Sequence, residues 1–148
     1  MKEGKMKIKQ ISVFLENKKG RLAQLTRILK ENNIDISAIS VADTANFGII
    51  RMIVSRYNDA MQVIKEAGLT VNTADVLAVE VSDSPGGLHY VLEILSQNDI
   101  AVEYLYSFVR RPSERALILF RIREIDEAIR VLSKNNIKIL SPEEIYEL

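Results

Sequence analysis

The stretch "ENKKGRLAQL" at residues 16–25 returns in altered form as "SDSPGGLHYV" at residues 82–91, and the distance between the two copies organises the chain. Setting Gly20 against Gly86 fixes an offset of 66 residues. Before the turn, Ile11, Val13 and Leu15 then fall on Leu77, Val79 and Val81, an apolar alternation of period two that predicts a half-buried strand in each copy. After it, Leu22, Leu25, Ile28 and Leu29 fall on Leu88, Val91, Ile94 and Leu95, the spacing of one buried helix face. "NNIDI" at 32–36 meets "NDIAV" at 98–102, where polar residues close the helix and a second apolar alternation begins.

Further on, the offset becomes 68, because "RRPSE" lengthens one turn of the second copy by two residues, a change loops absorb cheaply. "GIIRMIV" at 48–54 aligns with "ALILFRI" at 116–122. Ala60, Met61, Val63 and Ile64 align with Ala128, Ile129, Val131 and Leu132, and "GLTV" at 68–71 with "NIKI" at 136–139. Each copy therefore reads β-α-β-β-α-β. That order predicts an α+β fold of two ferredoxin-like units, each an antiparallel sheet with its helices on one face. The expected division is 1–73 and 74–148, with almost no linker. A unit of about 65 residues is marginal alone, so packing of the copies, and of two chains as a homodimer, is expected. Ser141, Pro142 and Glu144 carry the Ser, Pro and Glu of a helix start and predict a short closing helix.

The chain has 148 residues, nearly half of them apolar, and balances 20 basic against 20 acidic side chains. Disorder is excluded by the first property, and a whole-molecule attraction to nucleic acid or anionic lipid by the second. With no cysteine, disulfides and thiolate chemistry are excluded too. No signal peptide or membrane span is legible, so a cytoplasmic location without membrane contact is expected.

Both turns share the pattern N/D-x-x-G, with Asn17 or Asp83 ending the strand and Gly20 or Gly86 opening the helix. Glycine permits a backbone geometry denied to other residues, and a helix start presents unpaired N–H groups backed by the positive dipole end. Such a site favours a small carboxylate, while Asn17 or Asp83 can accept from a neighbouring ammonium group. Together these describe a free amino acid. The competing reading makes Asn, Asp and Ser plain helix caps and the glycines tight connections. Two occurrences at matched positions bring the binding reading level with the capping one.

The strand-turn-glycine-helix entry and the βαββαβ order resemble the ACT domain, with "NKKG" and "DSPG" similar to its ligand loop. The resemblance covers Ile8 to Leu140 as two consecutive domains. It implies a regulatory module that binds a small effector, most often an amino acid, between paired domains, using this loop and the second strand of the neighbour. The implied loop residues are Asn17, Lys18, Lys19, Gly20, Arg21 and Leu22 in one copy, with Asp83, Ser84, Pro85, Gly86, Gly87 and Leu88 in the other. The implied facing strands lie at 37–40, with Ser37 and Ile39, and at 103–106, with Tyr104 and Tyr106. Because the first loop carries two lysines where the second keeps Ser84 and Pro85, the second is expected to be the better amino-acid site.

His89 is the only histidine, so no catalytic triad or histidine-rich metal site can be assembled, and a surface position is expected for it. No catalysis, cofactor or metal is expected. "NFGIIRMI" at 46–53 is similar to an RNA-binding strand of another ferredoxin-like family, but Ile49 and Met52 stand where bases would need aromatic rings, so nucleic acid is not an expected partner. Gly48 reads as easing a hairpin or close strand approach. Tyr104, Tyr106 and Phe108 give one aromatic face to a strand, suited to a core, a dimer surface or a cleft wall. Arg110, Arg111, Arg115, Arg121 and Arg123 read as solvated strand ends. The sequence thus points to a non-catalytic amino-acid-binding regulator acting on a metabolic enzyme or regulator as partner. Its alternative is an interaction subunit of such an enzyme with no ligand of its own.

Overall fold

The computed structural model describes residues 6–43, 46–108 and 115–146; the RRPSE insertion, with Arg110 and Arg111, lies outside them. Twelve elements follow in the order expected: β1 (Ile8–Glu16), α1 (Arg21–Glu31), β2 (Ile36–Asp43), β3 (Phe47–Val54), α2 (Tyr57–Glu66), β4 (Thr70–Val81), α3 (Gly87–Gln97), β5 (Val102–Ser107), β6 (Ala116–Ile122), α4 (Ile125–Lys134), β7 (Ile139–Leu140) and α5 (Pro142–Tyr146). One difference stands out. The last strand of the first copy and the first strand of the second form a single strand, β4, because "TVNTADVLAVEV" contains no Gly or Pro to break it. Two compact units result, Lys9–Ala74 and the chain from Asp75 onward, the latter joined by Met6, Lys7 and Ile8. Met6 packs on the second unit's core, and Lys7 Nζ lies 2.9 Å from the Asp126 carboxylate.

In the first unit the strand order is β2-β3-β1-β4, with antiparallel pairing of Ile11 with Met52, Val13 with Ile50 and Leu15 with Gly48. The side chains at Ile11, Val13, Leu15, Ile50 and Met52 share one sheet face and pack against Leu25 and Leu29 of α1 and Ala60 and Ile64 of α2. The second unit repeats this with β4-β6-β5 and β7 beside β4. There Leu77, Val79, Phe120 and Ile122 meet Val91 and Leu95 of α3 and Ala128 and Leu132 of α4. Burying one apolar face per sheet under two helices is what the paired periodicities of 2 and 3.6 require.

Finer details repeat as well. β2 carries a bulge between Ile36 and Ala38, and β5 one between Val102 and Tyr104, at matched positions. All four long helices end on a residue with positive φ, Asn33, Gly68, Asp99 and Asn136, and the next N–H closes back on the helix, as from Ile34 to the Leu29 carbonyl at 2.9 Å. Asn, Asp and Gly are the residues that accept this left-handed ending most easily.

The predicted capping box is formed in full: Ser141 N–H donates to Glu144 Oε1 at 3.1 Å, and Glu144 N–H to Ser141 Oγ at 3.3 Å. The Ser141 backbone bond, joined by Lys138, holds the Glu144 carboxyl below its ordinary value. Ser141→Ala is expected to cost about 1 kcal/mol, read from urea denaturation. A group depressed in the folded state stabilises above its unfolded pKa of about 4.3 and loses that contribution as pH falls through the folded value. The gap between wild type and Glu144→Gln should therefore close on acidification through that window.

Candidate functional site

Both turns are built alike. Gly20, with φ of 87°, and Gly86, with φ of 89°, occupy the N-cap positions of α1 and α3, in a left-handed conformation that strains any other residue. Arg21 N–H returns to the Lys18 carbonyl at 3.3 Å, and Gly87 N–H to the Ser84 carbonyl at 3.0 Å. The N-cap residue of each helix is thus a glycine, which has no side chain to donate or accept at the helix start.

Around the first turn the surroundings form an open cleft of about 210 Å³. Asn17, Lys18, Arg21 and Leu22 line it from the loop and α1, and Val41 and Asp43 from the end of β2. Its floor is Leu15, Gly48 and Ile50, of which Leu15 and Ile50 belong to the first core. Asn17 donates from Nδ2 to Asp43 Oδ1 at 2.9 Å, tying the loop to the β2 end. Asp43 thereby brings a second carboxylate, beside that of Glu16, to a cleft that also holds the Lys18 and Arg21 cations. Glu16 Oε2 is 2.9 Å from Lys18 Nζ, and its other oxygen is 3.9 Å from Arg21, whose Nη1 donates to Gln24 at 3.1 Å. The Lys18 ammonium, by hydrogen bond and charge, holds the Glu16 carboxyl below its ordinary value. Lys19 is exposed and does not line the cleft.

The second turn is surrounded differently. Ser82 and Gly87 line a cleft of about 430 Å³ together with Glu80, Tyr90, Arg115 and Lys138. Its charges are paired internally: Arg115 Nε meets Glu80 at 2.6 Å, and Lys138 meets Glu144 at 3.4 Å. Asp83, Ser84, Pro85, Gly86 and Leu88 are not among its lining residues.

The strand residues expected opposite the loops are redistributed. Ser37 is the bulge residue of β2, and Ile39 packs into the first core, because pairing with Met52 turns its side chain under the helices. Tyr104 and Tyr106 pair with Arg121 and Leu119, which alternate with the core residues Phe120 and Ile122, so both rings lie on the sheet face away from the helices. Tyr106 is buried, and neither tyrosine lines the cleft at Gly87. Val41 and Asp43 went unread, and Gly48 was read only as easing a hairpin or close strand approach; their one signal as site residues was position at the loop end of an alternating strand.

Other expectations resolve simply. His89 is exposed beside Glu93, at 3.5 Å. No cluster of three metal-ligating side chains occurs among the described residues. Met52 and Phe120, which hold the base-stacking position of the RNA-binding pattern, are both fully buried. Gly48 is not enforced by close approach, since a Cβ there would make only ordinary contacts, 3.7 Å from the Ile50 side chain and 3.9 Å from the Ala42 carbonyl. Among the described residues no helix is long and apolar enough to cross a membrane.

The family model of the ACT domain pair matches residues 6–148, and the chain belongs to that family. Among solved structures it is similar to protein BT0572 from Bacteroides thetaiotaomicron, with 38% identity, 97% of this chain and 98% of that one covered, and a TM-score of 0.90. It shares its fold with the regulatory subunit of aspartate kinase from Thermus thermophilus in ligand-free form, at 14% identity, 87% and 92% coverage and a TM-score of 0.61. The corresponding subunit from Thermus flavus gives 14% identity, 87% and 92% coverage and a TM-score of 0.62. No curated protein matches the chain.

Proposed function

We propose that this ACT domain pair protein is a non-catalytic regulator that binds a free amino acid and transmits its occupancy to a partner enzyme or regulator. ACT domains are regulatory modules, and similar folds serve as aspartate kinase regulatory subunits. The observation that carries the reading is the first cleft, whose lining joins the Asp43 and Glu16 carboxylates and the Arg21 and Lys18 cations beside a helix start with glycine at its N-cap. Charges of both signs on a small, partly apolar cleft complement the ammonium and carboxylate of a zwitterion. Occupancy acts by differential affinity, favouring whichever arrangement of the chain lets loop and β2 end touch the ligand together. A homodimer is the proposed carrier of the signal, supported by exposed Phe14 and Phe47 on β1 and β3.

Thermal denaturation with each of the twenty amino acids tests the reading. An effector at a hundredfold its dissociation constant is expected to add about 2.7 kcal/mol, a shift of several degrees. Absence of any shift would instead favour an interaction subunit whose loops are structural.

A further inference from the structure

We propose that each chain takes up a single amino acid with an aliphatic side chain, at the first loop, and that the second loop is closed by its own backbone. This rests on the amino-acid-binding reading above and adds to it the site, the stoichiometry and the side-chain class.

Closure of the second loop follows from one peptide unit. In the first loop the Glu16 carbonyl accepts from Lys18 N–H at 2.8 Å, so it is turned back into its own turn. In the second, the matched Ser82 carbonyl lies against the helix start: a Cβ placed on Gly87 would collide with its oxygen and stand 2.9 Å from its carbon. The first copy carries Arg21 at that position. A carbonyl oxygen, the electronegative end of its peptide dipole, thus already sits beside the α3 N-terminus where an incoming carboxylate would approach. The loop itself is further tied by a hydroxyl–hydroxyl hydrogen bond of 2.7 Å between Ser82 and Ser84.

The side-chain class follows from the walls of the first cleft. Leu22 and Val41 are 42% and 54% exposed, large apolar residues left open on either side of a floor made by Leu15, Gly48 and Ile50. An aliphatic group set between them would be desolvated without loss. A hydroxyl or charged side chain set between Leu22 and Val41 would exchange water for apolar carbon on both sides, which disfavours polar ligands there. Gly48 leaves the floor open where the second copy has Ala116, and its substitution is sterically mild.

Isothermal titration calorimetry of the full chain with L-leucine, L-valine, L-threonine, L-lysine and 4-methyl-2-oxopentanoate tests the proposal. An aliphatic amino acid is expected to bind with one site per chain, at least tenfold tighter than lysine or threonine and tenfold tighter than the oxo acid, which lacks the ammonium group. Asp43→Asn should erase the preference over the oxo acid, and Gly48→Ala should weaken leucine at least tenfold with its melting temperature little changed. Ser84→Ala and Asp83→Asn should leave the affinity unaltered. Two sites per chain, loss of affinity in Ser84→Ala, or tighter binding of lysine than of leucine would overturn this inference alone. Absence of binding by all five, together with no thermal shift from any amino acid, would overturn the amino-acid reading and this inference with it.

Discussion

Phe120→Ala is expected to destabilise the protein by about 3–5 kcal/mol, the range for emptying an aromatic side chain from a closed core. Phe120 is fully buried at the middle of β6, paired in register with Leu77 of β4 and Leu105 of β5, and it packs in the cluster formed with Val91, Leu95, Ala128 and Leu132. Collapse to refill the site is restricted, because strands hold two sides and helices the third. Small units have little reserve against such a loss, since proteins of ordinary size are stable by only about 5–15 kcal/mol. The expected readout is a large fall in the urea midpoint with an unchanged or reduced slope. Tyr90→Ala, at a residue 58% exposed, is the matched control and should cost under about 1 kcal/mol. A loss of similar size in both variants would mean that the Phe120 ring is not the closing element of the second core.

Met52 holds the position of Phe120 in the first copy, and the two show how far the chain was readable from sequence. The local pattern, the repeat of 48–54 at 116–122, matched the two positions to each other, and the structure buries both completely. The same logic made the capping box at Ser141 and Glu144 legible, since it depends on residues three apart. What resisted reading depended on contacts between distant parts of the chain. Asn17 and Asp43, 26 residues apart, meet only after β1, β3 and β2 are laid side by side, so nothing local marked Asp43 as part of the site. The bulges at Ser37 and Glu103 escaped for a different reason. Each adds one residue to one strand without an insertion in either repeat, so the alignment of the two copies runs through them undisturbed. Past each bulge the alternation changes face, which is why Ile39 goes to the core and Tyr104 and Tyr106 to the opposite side.

Gly87→Ala carries the other large expected effect, about 3 kcal/mol, the upper end of the usual cost of forcing extra atoms into a filled site. Gly86→Ala, one residue earlier, provides the comparison. A Cβ on Gly86 enters open space, so that variant meets only the left-handed backbone, with φ of 89°, at about 1–2 kcal/mol. At Gly87 the obstacle is the Ser82 backbone itself, which no rotamer change can relieve. Relief requires the Ser82 peptide to rotate toward the arrangement at Glu16, whose carbonyl points to Lys18 N–H and whose loop accepts Arg21. Denaturant titration of the two variants side by side therefore measures how firmly the second loop is closed. If Gly87→Ala costs more than Gly86→Ala, the Ser82 carbonyl is locked over the helix start. If the two cost the same, rotation is easy, the second loop opens as readily as the first, and both turns are equally able to receive a carboxylate.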